Sequence, residues 1–448
     1  MSPHKKSTRG NAIMIRKYTA AALVAAAATL AQAQTEIQWW HSMGGALGDK
    51  VNDLANKFNA TQKDYKVVPI FKGTYPESMT AAIAAYRAGN APHILQVFEV
   101  GTATMMAAKG AVVPVYKLMK DADEPFDPKA YLGPVGGYYT DSKGNMLSFP
   151  FNSSTAIFYW NKDAYKKAGL DPNKPPRTWK EFLAAVDKLQ ASGQKCAYTT
   201  SWPSWVHIEN FSAWHNVPIG TRENGMAGTD TEFRINSPLH VRQIQMLGDL
   251  AKKGAFSYAG RTNQGGAKFA SGECAMLTES TGGQANVRRD AKFDWAVTEI
   301  PYWDDVPGAP QNAIIGGASL WVMGGKTNNA YKGVAKFFGF LSRPEIQMEW
   351  HTGTGYVPIT YAAYELTKKS GYYDKNPGAE VAIKMLTKKP PTPNSKGLRF
   401  GNFVQGREVI EEELEGVFAG KKDAKRALDD AVRRGNEILR KFEAANKS

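Results

Sequence analysis

Several residue types in this chain of 448 residues are placed to hold a small polar molecule. His41, Tyr75 and Glu99 each lie just after a stretch that reads as strand, and in α/β sheets ligands sit beyond the carboxyl ends of strands, so the three are predicted to face a common cleft. Trp202 and Trp205 stand three apart after another predicted strand, Cys196 to Thr200. The chain holds eleven Trp and nineteen Tyr. Such rings offer an apolar face and a polar edge, the surface that sugars and polyols require, although core packing must account for most of them. The stretch Asn312 to Met323 reads as strand interrupted by Gly316-Gly317. On local grounds a plain bulge accounts for the pair; a ligand lying against bare backbone N–H groups is the other reading. The Pro/Asp/Gly-rich connection before it (304–310) and the helical pattern after it (331–350) favour a hinge between two lobes.

Catalytic chemistry has no comparable foothold. The sequence contains no G-x-S-x-G elbow, no H-E-x-x-H, no P-loop and no G-x-G-x-x-G after a strand. Asp121-Ala-Asp123-Glu124 lacks the glycine and bidentate acid of a calcium loop. The histidines are scattered, so no metal site and no cofactor is expected. An exported hydrolase of phosphodiesters or glycosides stays open only because aromatic and carboxylate residues stand at strand ends.

These positions need two α/β lobes. Strand, helix, strand, helix, strand runs from Glu36 to Phe98, with apolar Leu47, Val51, Leu54, Ala55 and Phe58 at helical spacing in the first helix. A second set begins with the strand Thr155 to Trp160. Thr178 is predicted to cap the helix 179–192, and the strand Cys274 to Thr278 leads to the Ser280-Thr281-Gly282-Gly283 turn. Extended crossings are expected near Phe149, Pro310 and Gly355. The lobes are accordingly expected over 34–148 with 310–353, and over 149–309 with 354–448. The C-terminal third reads as mostly helical, clearest over 407–417 and 424–444.

Residues 1–33 read as a secretory signal: a basic region, an apolar run from Tyr18 to Leu30 too short to span a bilayer, and Ala31-Gln32-Ala33 at the cleavage position. Met14 would itself start a compact signal, so 1–13 reads as an upstream extension. Cleavage after Ala33 removes five basic and no acidic residues, and takes the net charge from +14 to +9. That excess is spread out, which gives no support to nucleic-acid binding but suits an anionic ligand. Cys196 and Cys274 form either a disulfide, as export allows, or two separately buried thiols.

The stretches Trp40-His41-Ser42-Met43, Gly89-Asn90-Ala91-Pro92, Gln96 to Met106, Phe151 to Thr155, Glu209 to Trp214, Gln311 to Met323 and Lys396 to Arg399 resemble the periplasmic sn-glycerol-3-phosphate-binding proteins of ABC importers, within the extracellular solute-binding protein family. The resemblance runs from about Gln34 to Ser448. It implies a maltose-binding-protein-like fold of two lobes, each a mainly parallel sheet flanked by helices, with the ligand in the interlobe cleft. It implies a monomeric periplasmic receptor without cofactor, not an enzyme. The receptor would bind glycerol 3-phosphate or a glycerophosphodiester such as glycerophosphocholine and deliver it to permease subunits in the inner membrane. A sugar or maltooligosaccharide receptor is the alternative. Carried over by motif, the ligand contacts are Tyr75, Glu99, Ser154, Trp202, Trp205, Ser280, Gly317, Tyr356 and Arg407. Glu99 would accept from the glycerol hydroxyls, and the two tryptophans would wall the carbon chain. Ser154, Ser280, Tyr356 and the Gly317 N–H would donate to phosphate oxygens. Arg407 would supply the positive charge, and its loss would leave the ligand-free protein's stability nearly unchanged. At Glu279 the chain departs from the family's small neutral residue; strand alternation is expected to turn that carboxylate away from Ser280. His41 and Asn152 are expected near the cleft without touching the ligand.

Overall fold

The first strand, β1 (Thr35–His41), pairs in parallel with β2 (Tyr65–Phe71) and β3 (Ile94–Phe98). In this computed structural model, which describes residues 1–3 and 34–446, the strands form two sheets. The predicted secretory signal and its cleavage site lie outside the described residues, apart from Met1 to Pro3. The first sheet has the order β2-β1-β3-β10-β4, with β4 (Val112–Val113) at one edge and β5 (Phe149–Ser154) also pairing with β10 (Gly316–Met323). The second sheet has the order β7-β8-β6-β9, from β6 (Ala156–Asn161), β7 (Cys196–Thr200), β8 (Cys274–Ser280) and β9 (Trp295–Thr298).

Helices flank both sheets. Between β1 and β2, α1 (Ala46–Thr61) buries Leu47, Val51, Leu54, Ala55 and Phe58, the stripe read from the sequence. α2 (Tyr75–Arg87) starts at a Thr74 capping box with Glu77, and α3 (Trp179–Ala191) starts at a second box between Thr178 and Glu181. These boxes satisfy N-terminal amides that have no partner inside the helix. α4 (Pro238–Lys252), α5 (Gly265–Ala270) and α6 (Gln284–Asp290) belong with the second sheet. The pattern read as one helix over 331–350 is two, α7 (Asn328–Leu341) and α8 (Pro344–Thr354). Pro344 is the cause, since proline fits the first turn of a helix but lacks the amide a helix interior needs. The chain ends in α9 (Phe403–Phe418) packed against α10 (Ala424–Asn446).

Both sheets are mixed, where a mainly parallel pairing is expected from sequence. β10 runs antiparallel to β3, β4 and β5, and β6 runs antiparallel to β8 and β9. The antiparallel members are the strands that carry the chain between the sheets. The first crossing falls at Thr155, between β5 in one sheet and β6 in the other, six residues beyond Phe149. There Thr155 Oγ1 donates to Ile314 O at 2.8 Å, while Asn210 Oδ1 accepts from Thr155 Oγ1 and from the Ile314 amide, both at 3.2 Å. The amide of Val357 donates to Ser153 O at 2.8 Å. The three passages of the chain thus lie side by side, tied through their backbones.

Parallel pairing of β7 and β8 places Cys196 opposite Cys274. Their Cα atoms are 4.5 Å apart and the sulfurs are bonded, which decides between the two readings of the pair. The bridge closes a loop with a sequence separation of 78, for which loss of the cross-link should cost roughly 4 kcal/mol in the chain-entropy model. Cys196→Ser with Cys274→Ser should therefore lower the thermal midpoint by several degrees. Unreduced, unfolded wild-type protein should take up no thiol reagent; labelling of both cysteines without reductant would contradict the bridge.

Candidate functional site

A cavity of about 640 Å³ lies between the two sheets, within the roughly 300–1,000 Å³ common for small-molecule sites. All nine sequence-predicted contacts line it: Tyr75, Glu99, Ser154, Trp202, Trp205, Ser280, Gly317, Tyr356 and Arg407. They arrive from separate elements. Glu99 follows β3, Ser154 ends β5, Trp202 follows β7 and Ser280 ends β8, so the carboxyl ends of strands from both sheets converge as the topology demands.

The walls are shaped by glycines facing rings. At Gly316 a Cβ would lie 2.2 Å from the Trp205 ring, and at Gly282 one would lie 2.4 Å from Tyr356. Gly317 has φ +86°, and a Cβ there would lie 1.8 Å from Asn152 O. The register of β10 against β5 shifts at Ala318/Ser319. The Gly-Gly pair therefore marks a close backbone approach, against the chain's own β5, at the cavity wall; the bulge of this pairing lies beside it, at Phe151 of β5, which has no partner on β10. Trp202 has a positive φ of 50°, and Trp205 to Asn210 forms a π-helical turn, an arrangement that recurs at functional sites. Trp205 is buried and its Nε1 has no hydrogen-bond partner.

Asn152 and His41 support the wall from behind. Asn152 Nδ2 donates to the Tyr75 hydroxyl at 3.0 Å, Gln96 Nε2 donates to Asn152 Oδ1 at 2.8 Å, and the Ser42 amide donates to Gln96 Oε1 at 2.8 Å. Tyr75 also stacks on Phe98, with ring centroids 5.1 Å apart. His41 Nδ1 accepts the Met43 amide at 3.2 Å, and burial lowers its pKa to about 4.

The charged centre differs from the sequence expectation. Arg407 on α9 is not a free cation. Its Nη2 lies 2.6 Å from Glu99 Oε1 and 2.5 Å from Glu209 Oε2, and its Nε donates to Glu209 Oε1 at 2.9 Å. Ser204 Oγ donates to Glu209 Oε1 at 3.0 Å. Burial opposes the Arg407 charge, but Glu209 and Glu99 more than offset it and keep the guanidinium protonated. Burial holds Glu99 above the usual carboxylate range; Arg407 opposes that shift and Glu209 adds to it. One turn along α9, Glu411 accepts the Ser204 amide at 2.9 Å, and burial pushes its pKa up to about 8. The candidate contacts omitted Glu209 and Glu411. Glu209 directly follows Trp205-Val206-His207-Ile208, a signal that marks it as a buried acid but does not name its partner, and Glu411 stands four residues from Arg407 on one helix.

Glu279 is also not turned away. It is buried, lines the cavity beside Ser280, and its Oε1 accepts the Ser280 amide at 2.7 Å. Both residues lie inside β8, paired with Ile157 and Ala156; alternation sets where the Cβ points, while the longer Glu279 side chain folds back onto the Ser280 amide at the strand's end. Among the described residues no group of three or more His, Cys, Asp or Glu could hold a metal ion, and no helix is long and apolar enough to cross a membrane.

Residues 53–381 match the model of the bacterial extracellular solute-binding protein family. The sn-glycerol-3-phosphate-binding periplasmic protein UgpB of Pectobacterium atrosepticum is 56% identical over 432 residues, covering 96% of this chain and 97% of that one. The protein of the same name from Salmonella typhimurium is 55% identical over 419 residues, covering 93% and 95%. Among solved structures, UgpB from Mycobacterium tuberculosis in complex with glycerophosphocholine superposes with a TM-score of 0.76 at 22% identity, covering 91% of this chain and 99% of that one. The maltose-maltodextrin binding protein of Alicyclobacillus acidocaldarius superposes at 0.69 with 16% identity, covering 90% and 100%. At these identities the two structures speak to the fold alone.

The triad changes what loss of Arg407 should do. Arg407→Ala leaves two buried carboxylates without a counter-charge, which costs about 3–5 kcal/mol, so the ligand-free protein should be clearly destabilised. The sign with pH follows from Glu99: held above its unfolded pKa and deprived of Arg407, its contribution is intact below the unfolded value near about 4.3 and lost as pH rises. The thermal midpoint of Arg407→Ala should therefore fall relative to wild type between pH 5 and pH 8. An unchanged midpoint at pH 7.5 would show that the triad contributes nothing.

Proposed function

Since the chain belongs to the bacterial extracellular solute-binding protein family, and serves as the substrate-binding component of an ABC importer, we propose that its ligand is sn-glycerol 3-phosphate or a glycerophosphodiester. The observation that carries this reading is the convergence of the nine contacts on one cavity, with hydroxyls of Ser154, Ser280 and Tyr356 on its walls beside Glu99 and Arg407, which Glu209 braces from behind. Relatives above 50% identity over nearly the whole chain are named for binding glycerol 3-phosphate.

In this reading Arg407 attracts the phosphate, and its planar fork is held in place by Glu209 before the ligand arrives. Glu99 remains within reach of glycerol hydroxyls as an acceptor. Tyr75, Trp202 and Trp205 cover the carbon chain. The two lobes close over the ligand about the passages at Thr155, Ile314 and Gly355, a hinge only a few residues wide. The closed protein docks on permease subunits in the inner membrane and releases its ligand unchanged. It acts as a monomer in the periplasm without nucleic acid, and the mature chain begins at Gln34.

Titration calorimetry with glycerol 3-phosphate, glycerophosphocholine and maltose tests the ligand class. One molecule of either phosphate ligand should bind per chain and be recovered intact, while maltose gives no heat; saturable binding of maltose alone would reverse the reading. Small-angle scattering of the same samples should show compaction with ligand. For export, Edman sequencing of protein from the periplasm should begin Gln-Thr-Glu-Ile, and a retained apolar run would sink that part.

A further inference from the structure

The charges around the cavity do not suit a dianion. Arg289 and Asp290, both lining residues, are bound to each other at 2.7 and 2.9 Å, and Glu77 is held by the Thr74 amide and hydroxyl. That leaves Arg407 as the cation facing the interior among the described residues. It already touches Glu99 and Glu209, and Glu279 stands on the cavity wall as a third carboxylate. A phosphate monoester brings about −1.5 to −2 charges at neutral pH; a phosphodiester brings one. Adding a dianion to one cation and three carboxylates in a site that sheds water is strongly unfavourable unless a proton enters with it.

The turn beside Glu279 offers an anion little compensation. Three of its amides are already engaged: Ser280 N–H donates to Glu279 Oε1 at 2.7 Å, Thr281 N–H to Thr155 O at 3.0 Å and Gly282 N–H to Ser280 Oγ at 3.0 Å. The Ser280 hydroxyl hydrogen remains available to a phosphate there. Gly283 carries no Cβ, which would lie 2.5 Å from Glu279 Cγ, so the turn is cut to seat this carboxylate. The groups packed around it hold few charges. Tyr159 of β6, whose hydroxyl donates to Ser280 O at 2.6 Å, and Tyr356 both stay un-ionised, since burial raises both. Gly266 flanks it from α5, Ser201 and Trp202 from the chain after β7, and Arg288 of α6 acts on Tyr159.

The geometry points to Glu279 as a specificity-determining residue that favours singly charged phosphodiesters and admits a phosphate monoester dianion only together with a proton. This rests on the ligand class proposed above. Burial pushes Glu279 up to about 7, against the neighbouring Ser201, the Ser280 amide and Trp202. The sign follows: a bound dianion raises that value further, so below about pH 7 the residue is already protonated and binding takes up little. Above it binding takes up a proton, and monoester affinity falls toward tenfold per pH unit.

The test is calorimetry of wild type and Glu279→Gln with glycerol 3-phosphate and glycerophosphocholine at pH 6, 7 and 8, in buffer pairs of different ionisation enthalpy. Wild type should take up close to one proton with glycerol 3-phosphate at pH 8 and close to none with glycerophosphocholine. Its preference for the diester should grow as pH rises. In Glu279→Gln the proton uptake should vanish and the preference at pH 8 should drop by about tenfold. Zero uptake by wild type at pH 8 overturns the inference without any variant. So does a pH slope that survives in Glu279→Gln, which would belong to the ligand's own phosphate. Binding of both ligands with an unchanged preference overturns the inference and leaves the ligand class standing; no heat from either ligand removes both.

Discussion

The Arg407 guanidinium, held between Glu99 and Glu209, is the contact on which the rest of the site depends. It joins the end of β3, the π-helical turn after β7 and the start of α9, three segments more than a hundred residues apart from one another in sequence. A buried ion pair is tolerable only where its hydrogen bonds are nearly complete, and here both nitrogens that carry the fork are engaged. The triad consequently fixes where α9 may sit relative to both sheets. It also sets the electrical condition any ligand meets, because the cation arrives already more than balanced.

How that cation is surrounded could not be read from the residues that supply it. The strand ends, the Thr74 and Thr178 caps and the apolar face of α1 follow from local rules, and they are where the periodicities and cap residues place them. Glu99 and Ser280 fall at the carboxyl ends of their strands for the same reason. By contrast, Glu209 meets Arg407 across 198 positions of chain, and no local pattern reports such a pairing. Glu279 is misplaced by a rule that sets where a Cβ points, not where a long side chain carries its carboxylate. The division at Pro344 was legible in principle, since proline belongs in a first turn; continuous apolar spacing on both sides concealed it.

Gly316 and Gly317 show how two readings of one signal can both be partial. A bulge and a close backbone approach were rivals at the level of sequence. In the folded chain the missing side chain at Gly317 lets β10 approach Asn152 O, the missing side chain at Gly316 admits the Trp205 indole, and the bulge falls one step on, at Phe151 of β5. The ring and the glycine are a single packing unit, so neither can be exchanged without the other.

The Cys196–Cys274 bridge lies at the amino ends of β7 and β8, while Trp202 and Ser280 lie beyond or at their carboxyl ends. A seven-residue strand spans roughly 20 Å, so the sulfurs are remote from the cavity. The sequence holds two cysteines, and both are consumed in the bridge. A single cysteine introduced at the mouth, for instance at exposed Phe71, would then be the sole nucleophilic thiol. An environment-sensitive dye attached there would turn the proposed lobe closure into an optical signal, the working principle of a reagentless sensor.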